Sequence, residues 1–374
     1  MLCFGVLCCA QKEPAIMILS RKNRAPLLAS ALLLVVLLLT AAIAIAQNQE
    51  ENLRMDGGDE LGWDISNWFV QVDGVMGGDS EGELMYLQDN AILQFSGDIV
   101  TEGGGFSNVR KRMDFDMDLS SYAGIVIEME PHAYQGQAPL GMHLEFNDES
   151  SEWGYAGAFA VPLADSMEDL TAVYIPMDHF DRASRGGRVC QDSSQCTLDP
   201  ARITEMELGV RFQEGPFSVN FYSITAVQNA TSFTSPSVTL ASSTEVQTLI
   251  QATTSSGGAV YNSGYTETCN AMYRSTLNTL LASTGGGVTE DMKAVICEGL
   301  QSVATLEHKE KDDTAWALRG TLDAIWEMAS MEEVDVMLSR NASSVGGGEE
   351  ELCMAVTSHP PVYLSTEAYN MTGW

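Results

Sequence analysis

Residues 78–82 read Gly-Asp-Ser-Glu-Gly, which fits the G-x-S-x-G pattern of a serine nucleophile elbow and makes Ser80 the first candidate for chemistry. An elbow works because a strand turns sharply into a helix, lifting the hydroxyl beside backbone N–H donors. After Gly82 the chain instead reads ELMYLQDNAILQFSG, where Leu84, Tyr86 and Ile92 mark two short strands around an Asp89-Asn90 turn. The histidines offer no base: His308 sits in a charged run, His359 precedes two prolines, and His132, His143 and His179 belong to strands or their ends. The match is therefore read as accidental, and no catalytic residue is assigned.

Other chemistry is equally thin. His143 and Glu145 would share one strand face, but the sequence shows no third or fourth ligand, so a structural histidine is expected and neither a metal nor a cofactor is assigned. The DFDMD run at 114–118 lacks the Gly at position six and the Glu at position twelve of a calcium loop. Carboxylate pairs of glycosidase type could be drawn from Glu128, Glu130, Glu145 or Asp148, but in a chain with 51 Asp and Glu such pairs carry no information.

The elements that would hold these residues are mostly strands. Met113, Phe115, Met117 and Leu119 alternate with aspartates, and Met206, Leu208 and Val210 alternate with Glu205, Glu207 and Gly209. Period two means half-buried strands, and segments 124–130, 140–146, 171–176 and 217–227 continue the series at sandwich-like spacing. The expectation is an antiparallel β-sandwich of jelly-roll type over 60–228. A Ser/Thr-rich stretch at 229–265 reads as a linker. Helical stripes follow in a small domain over 266–340: Cys269 to Leu281, Met292 to Val303, and Ala315 to Trp326, with Ser330 and Glu333 as a capping box opening a fourth helix. Residues 341–374 read as a loose tail.

Lys and Arg number 19 against 51 acids, a net charge of −32, so a polyanion is repelled and nucleic acid is excluded as a partner. Arg21, Lys22 and Arg24 precede an apolar run at 25–46 that ends in small residues, the form of a secretory signal peptide over 1–46; it is also long enough to stay as a membrane anchor. Cys190 and Cys196 bracket a short polar loop that a disulfide could tie. Asn229, Asn341 and Asn370 lie in N-x-S/T sequons open to glycosylation on the secretory route.

The stretch around Ser80 resembles the opening motif of the complex I intermediate-associated protein 30 domain, W-x(4)-D-x-V-M-G-G-x-S-x-G, with Trp68, Asp73, Val75, Met76, Gly77, Gly78, Ser80 and Gly82 in place. The similarity continues through Gly104, Gly105, Phe106 and Arg110, then IPMDHF at 175–180, 198–210 and 215–227. The resemblance implies a galactose-binding-like jelly-roll sandwich, a turn role for Ser80, an Arg110–Asp73 pair, and a chaperone-like assembly factor of respiratory complex I instead of an enzyme. The secretory leader, the sequons and the helical extension depart from that pattern. The expected function is a non-enzymatic binding or assembly module on the secretory route, holding a protein or glycan through sandwich-end loops, with Trp153 and Tyr155 as rings that could stack on a sugar. The alternatives are an organellar assembly factor for complex I and, more remotely, a carbohydrate-active or serine hydrolase.

Overall fold

The computed structural model describes residues 52–339, apart from short interruptions at 59–61, 90, 150–152, 168–169, 181, 186–187, 190–196, 305 and 307–310. The leader, Cys190, Cys196, Asn341 and Asn370 lie outside the described residues. Among the described residues, no helix is long and apolar enough to cross a membrane.

The strands in chain order are β1 (Leu53–Gly57), β2 (Trp68–Val72), β3 (Glu81–Leu87), β4 (Ile92–Ile99), β5 (Phe106–Met117), β6 (Gly124–Met129), β7 (His132–Ala133), β8 (Leu140–Asp148), β9 (Gly154–Val161), β10 (Leu163–Ala164), β11 (Thr171–Pro176), β12 (Arg182–Arg185), β13 (Arg188–Val189), β14 (Ile203–Arg211) and β15 (Gly215–Val227). Among the described residues they form two antiparallel sheets and one parallel pair, β7 with β10. Sheet A runs β11-β6-β15-β4-β3, with β1 also on β15; sheet B runs β13-β12-β9-β8-β14-β5-β2. Their inner faces carry the alternating apolar residues, Leu93, Phe95, Ile127, Val219 and Phe221 from one and Val109, Leu144, Phe146, Phe159 and Leu208 from the other, all buried. Each such side chain contributes about 1.5–3 kcal/mol on burial, which fixes the register of every strand. The fold is the expected β-sandwich, and the turn between β3 and β4 lies one residue before the expected Asp89-Asn90, with Gln88 and Asp89 at φ 50° and 56°; Asn90 lies outside the described residues.

Among the described residues four helices follow: α1 (Ser243–Asn262), α2 (Thr266–Ala282), α3 (Glu290–Ala304) and α4 (Lys311–Ser339). Two expectations are corrected here. The linker at 229–265 contains α1, opened by a capping box in which Ser242 Oγ accepts from the Glu245 N–H and Glu245 Oε2 accepts from the Ser242 N–H. The capping box expected at Ser330 and Glu333 does not form, because α4 runs through it; Ser330 Oγ donates back to the Trp326 carbonyl at 2.9 Å and accepts from Gln247 Nε2 at 2.7 Å.

The helices are not a separate domain. α2 is buried almost all round because it lies between sheet B and the other helices, and one continuous apolar core runs from the sandwich into the bundle. Sheet B meets it with small residues: Gly141 sits so close that a Cβ there would be 2.9 Å from Met272 Cγ, and Ala156 and Ala160 are buried alongside on β9.

Candidate functional site

Asp73 begins a short 3-10 turn (Asp73–Met76) between β2 and β3 and has no exposed surface. Its carboxylate accepts from Ser80 Oγ at 2.7 Å, Ser80 N at 3.0 Å, Gly105 N at 2.5 Å and Phe106 N at 3.3 Å. Burial alone would push this carboxyl up; the donors of Ser80, Gly105 and Phe106 outweigh it and hold it below its ordinary value. The glycines exist to let the chain close on this group. A Cβ on Gly78 would lie 2.5 Å from the carboxylate oxygens, one on Gly104 would overlap Oδ2, and Gly77 and Gly105 take φ of 92° and 126°.

Ser80 is thereby committed. Its hydroxyl donates to Asp73 and accepts from the Val100 N–H at 3.1 Å, and the segment after it is β3, a strand. The elbow reading fails on geometry. The expected Arg110–Asp73 pair also fails: Arg110 lies on the outer face of sheet B, where it pairs with Glu205 and Glu207 and donates to Gln71 Oε1 at 2.7 Å. Trp68 anchors a second hub, donating from Nε1 to Asp56 at 2.7 Å beside Lys111 Nζ at 2.6 Å. Gly82 leaves room for Ser107, and Phe106 donates its N–H to Asp73. Met76 differs from all of these: it is 64% exposed at the tip of the turn.

The ring residues expected to stack on a sugar lie elsewhere. Tyr155 has no exposed surface and points into the core, because it is on the inner side of β9, so it is not available to a ligand. Trp153 is half-buried and packs against the same core. Asn229 is exposed just after β15. Cys269 is a free, buried thiol whose burial raises its pKa to about 12, and Cys297 is disulfide-bonded.

The outer face of sheet B carries a polar cluster that sequence spacing did not reveal. The register pairs Asn108 with Gly209 and His143 in one row, and Arg110 with Glu207 and Glu145 in the next. Arg211 Nη2 bridges Glu145 Oε2 and Glu207 Oε1 at 3.1 Å each, and its guanidinium lies 5.5 Å from the Tyr265 ring centroid at the start of α2. His143 Nε2 is 3.4 Å from Glu207 Oε1. Burial, and then the neighbouring Glu207, raise the Glu145 carboxyl; burial opposes the Arg211 charge, but Tyr265, Glu145 and Glu207 outweigh it and keep the guanidinium charged. His143, Glu145 and Glu207 place their ligand atoms within 4.8 Å of one another, so Glu207 is the third donor that spacing along one strand could not show. On the outer face of sheet A, a pocket of about 540 Å³ opens between β11 and residues 233–237, lined by Glu128, Asp165, Leu170 and Phe233 among others.

The fold is thus an antiparallel β-sandwich with an end loop tied to a buried carboxylate, followed by helices. Residues 57–221, the β-sandwich, match the model of the family described as Complex I intermediate-associated protein 30 (CIA30). No sequence of a curated protein matches the chain. Among solved structures, the chain is similar to the family 11 carbohydrate-binding module of the cellulosomal cellulase Lic26A-Cel5E of Clostridium thermocellum, at 12% identity over 47% of this chain and 95% of that one, with a TM-score of 0.34. A family 30 carbohydrate-binding module aligns at 14% identity over 49% and 92%, TM-score 0.32, and the agarase AgWH50C at 9% over 47% and 26%, TM-score 0.31.

Proposed function

We propose that the chain is a non-enzymatic docking module of the CIA30 family that grips a protein through the loop between β2 and β3. The observation that carries this reading is Met76. Trp68, Asp73, Gly77, Gly78, Ser80 and Gly82 each have a task inside the fold, whereas Met76 is held 64% exposed on a turn that Asp73 makes rigid. A flexible thioether on a fixed backbone loses little order on binding and adapts to an apolar recess. Cross-linking mass spectrometry on the full-length chain in its producing cells tests this. Met76→Asp should leave the thermal transition in place and remove the cross-links near residue 76; an unchanged cross-link map overturns the reading.

The route is secretory in this proposal, supported by the leader, by the exposed Asn229 and by the disulfide at Cys297. A fusion of the first 60 residues to a fluorescent protein decides it: delivery to the endoplasmic reticulum is expected, while import into an organelle without glycosylation favours assembly of a respiratory complex, the role for which the family is named. A glycan reading rests on the sheet A pocket, where Phe233 stands beside Glu128 and Asp165. A glycan array on the full chain, with Phe233→Ala as control, separates it from protein docking.

A further inference from the structure

The geometry points to a divalent-cation site on the outer face of sheet B, with His143 Nε2, Glu145, Glu207 and Asn108 Oδ1 as donors and Zn²⁺ as the ion they fit. The first three come from neighbouring positions on β8 and β14 and already lie within 4.8 Å of one another, all buried. The 3.4 Å between His143 Nε2 and Glu207 Oε1 equals the edge of a tetrahedron with bonds of about 2.1 Å, the usual zinc–nitrogen and zinc–oxygen length.

The fourth donor is an independent observation. Asn108 is 5% exposed, and its Oδ1 is buried with no hydrogen-bond partner among the described residues. It faces His143 across Gly209, whose missing side chain lets the two polar groups converge: a Cβ there would overlap Asn108 Oδ1 and lie 2.6 Å from His143 Nε2. A buried amide oxygen without a donor calls for an ion or a water beside it.

Arg211 now supplies the positive charge, with one nitrogen 3.1 Å from both carboxylates. Its guanidinium already lies over the Tyr265 ring, so it can withdraw to that face when a cation takes its place. One imidazole with three oxygen donors suits Zn²⁺ better than Mg²⁺ or Ca²⁺, which prefer oxygen alone, or Cu(I), which prefers sulfur. The site does not depend on the docking reading.

The test uses the full-length chain, stripped with chelator, dialysed and titrated with zinc chloride by calorimetry, with metal content measured afterwards. One tight Zn²⁺ per chain is expected, raising Tm by roughly 5 °C at 100-fold excess over Kd. His143→Gln and Glu207→Gln should each weaken binding by roughly 100-fold and Asn108→Ala by roughly tenfold. Arg211→Met removes the competing cation, so it should be less stable when stripped and regain stability with zinc. If His143→Gln fails to fold, Co²⁺ on the unaltered chain replaces it, and the intense visible bands of tetrahedral cobalt are expected. Equal zinc uptake by the unaltered chain and by His143→Gln means adventitious binding to surface carboxylates and overturns the proposal, as do the spectrum of hydrated cobalt or the lack of any tight site.

Discussion

Asp73→Asn is the sharpest test of how the end loop is held. The amide keeps one acceptor oxygen and turns the other into a donor. In its better orientation the new NH2 faces the Ser80 N–H, while the carbonyl oxygen keeps Gly105 and Phe106. One charge-assisted hydrogen bond worth about 1.5–3 kcal/mol is lost, and a buried N–H is left unmet at about 1–3 kcal/mol. The two overlap, so about 3 kcal/mol is expected, or about 6–9 °C in Tm for a unit of this size. Asp79→Asn, at an exposed neighbour, is the control and should move Tm by less than about 1 °C. Because the folded Asp73 carboxyl is depressed, its contribution is complete above the unfolded carboxylate value of about 3.9 and disappears as pH falls through the folded value. The gap between wild type and Asp73→Asn, followed by urea denaturation, should therefore be widest near neutrality and close below pH about 4. Equal Tm for Asp73→Asn and Asp79→Asn, or a gap that widens in acid, would refute the reasoning.

Gly104→Ala should destabilise by about 2 kcal/mol, because its Cβ overlaps the Asp73 carboxylate, whereas Gly74→Ala, with open space around it, should be neutral in the same melt. Tyr155→Ala should cost about 3–5 kcal/mol in chemical denaturation as a core cavity, with no change in ligand binding beyond that loss of fold. Ser242→Ala removes the cap of α1 and should cost about 1 kcal/mol. Cys269, with its thiol pushed up to about 12, should resist iodoacetamide at pH 8 in the folded chain and react after denaturation.

Strand positions were legible because burial on one face forces period two, as in β5 and β14, and the glycine turns because few residues take positive φ. α1 was hidden by composition. Its buried face is Val246, Leu249, Ile250, Thr253, Gly257 and Val260, a clear helical spacing, but Thr and Gly fill two of those places and the flanking residues are Ser, Thr and Gly. Gly257 is there because Tyr273 of α2 packs against it, a requirement set by the partner helix. The cluster of Asn108, His143, Glu145, Glu207 and Arg211 was illegible for a related reason: its members share rows across three strands, and rows depend on register, which no single strand encodes. The family motif suggests Arg110 as the partner of Asp73, but the register sets it in a row with Glu207 and Glu145, where it pairs with Glu207.

The close seat of α2 on Gly141, Ala156 and Ala160 bears on how the chain is made. During synthesis β8 and β9, which carry that seat, leave the ribosome about a hundred residues before α2 does, so the surface that α2 will cover is bare for several seconds at ordinary elongation rates. A chaperone, or a second nascent copy, has that interval in which to bind. The last helices thus decide whether a finished sandwich stays alone or is captured before it is complete.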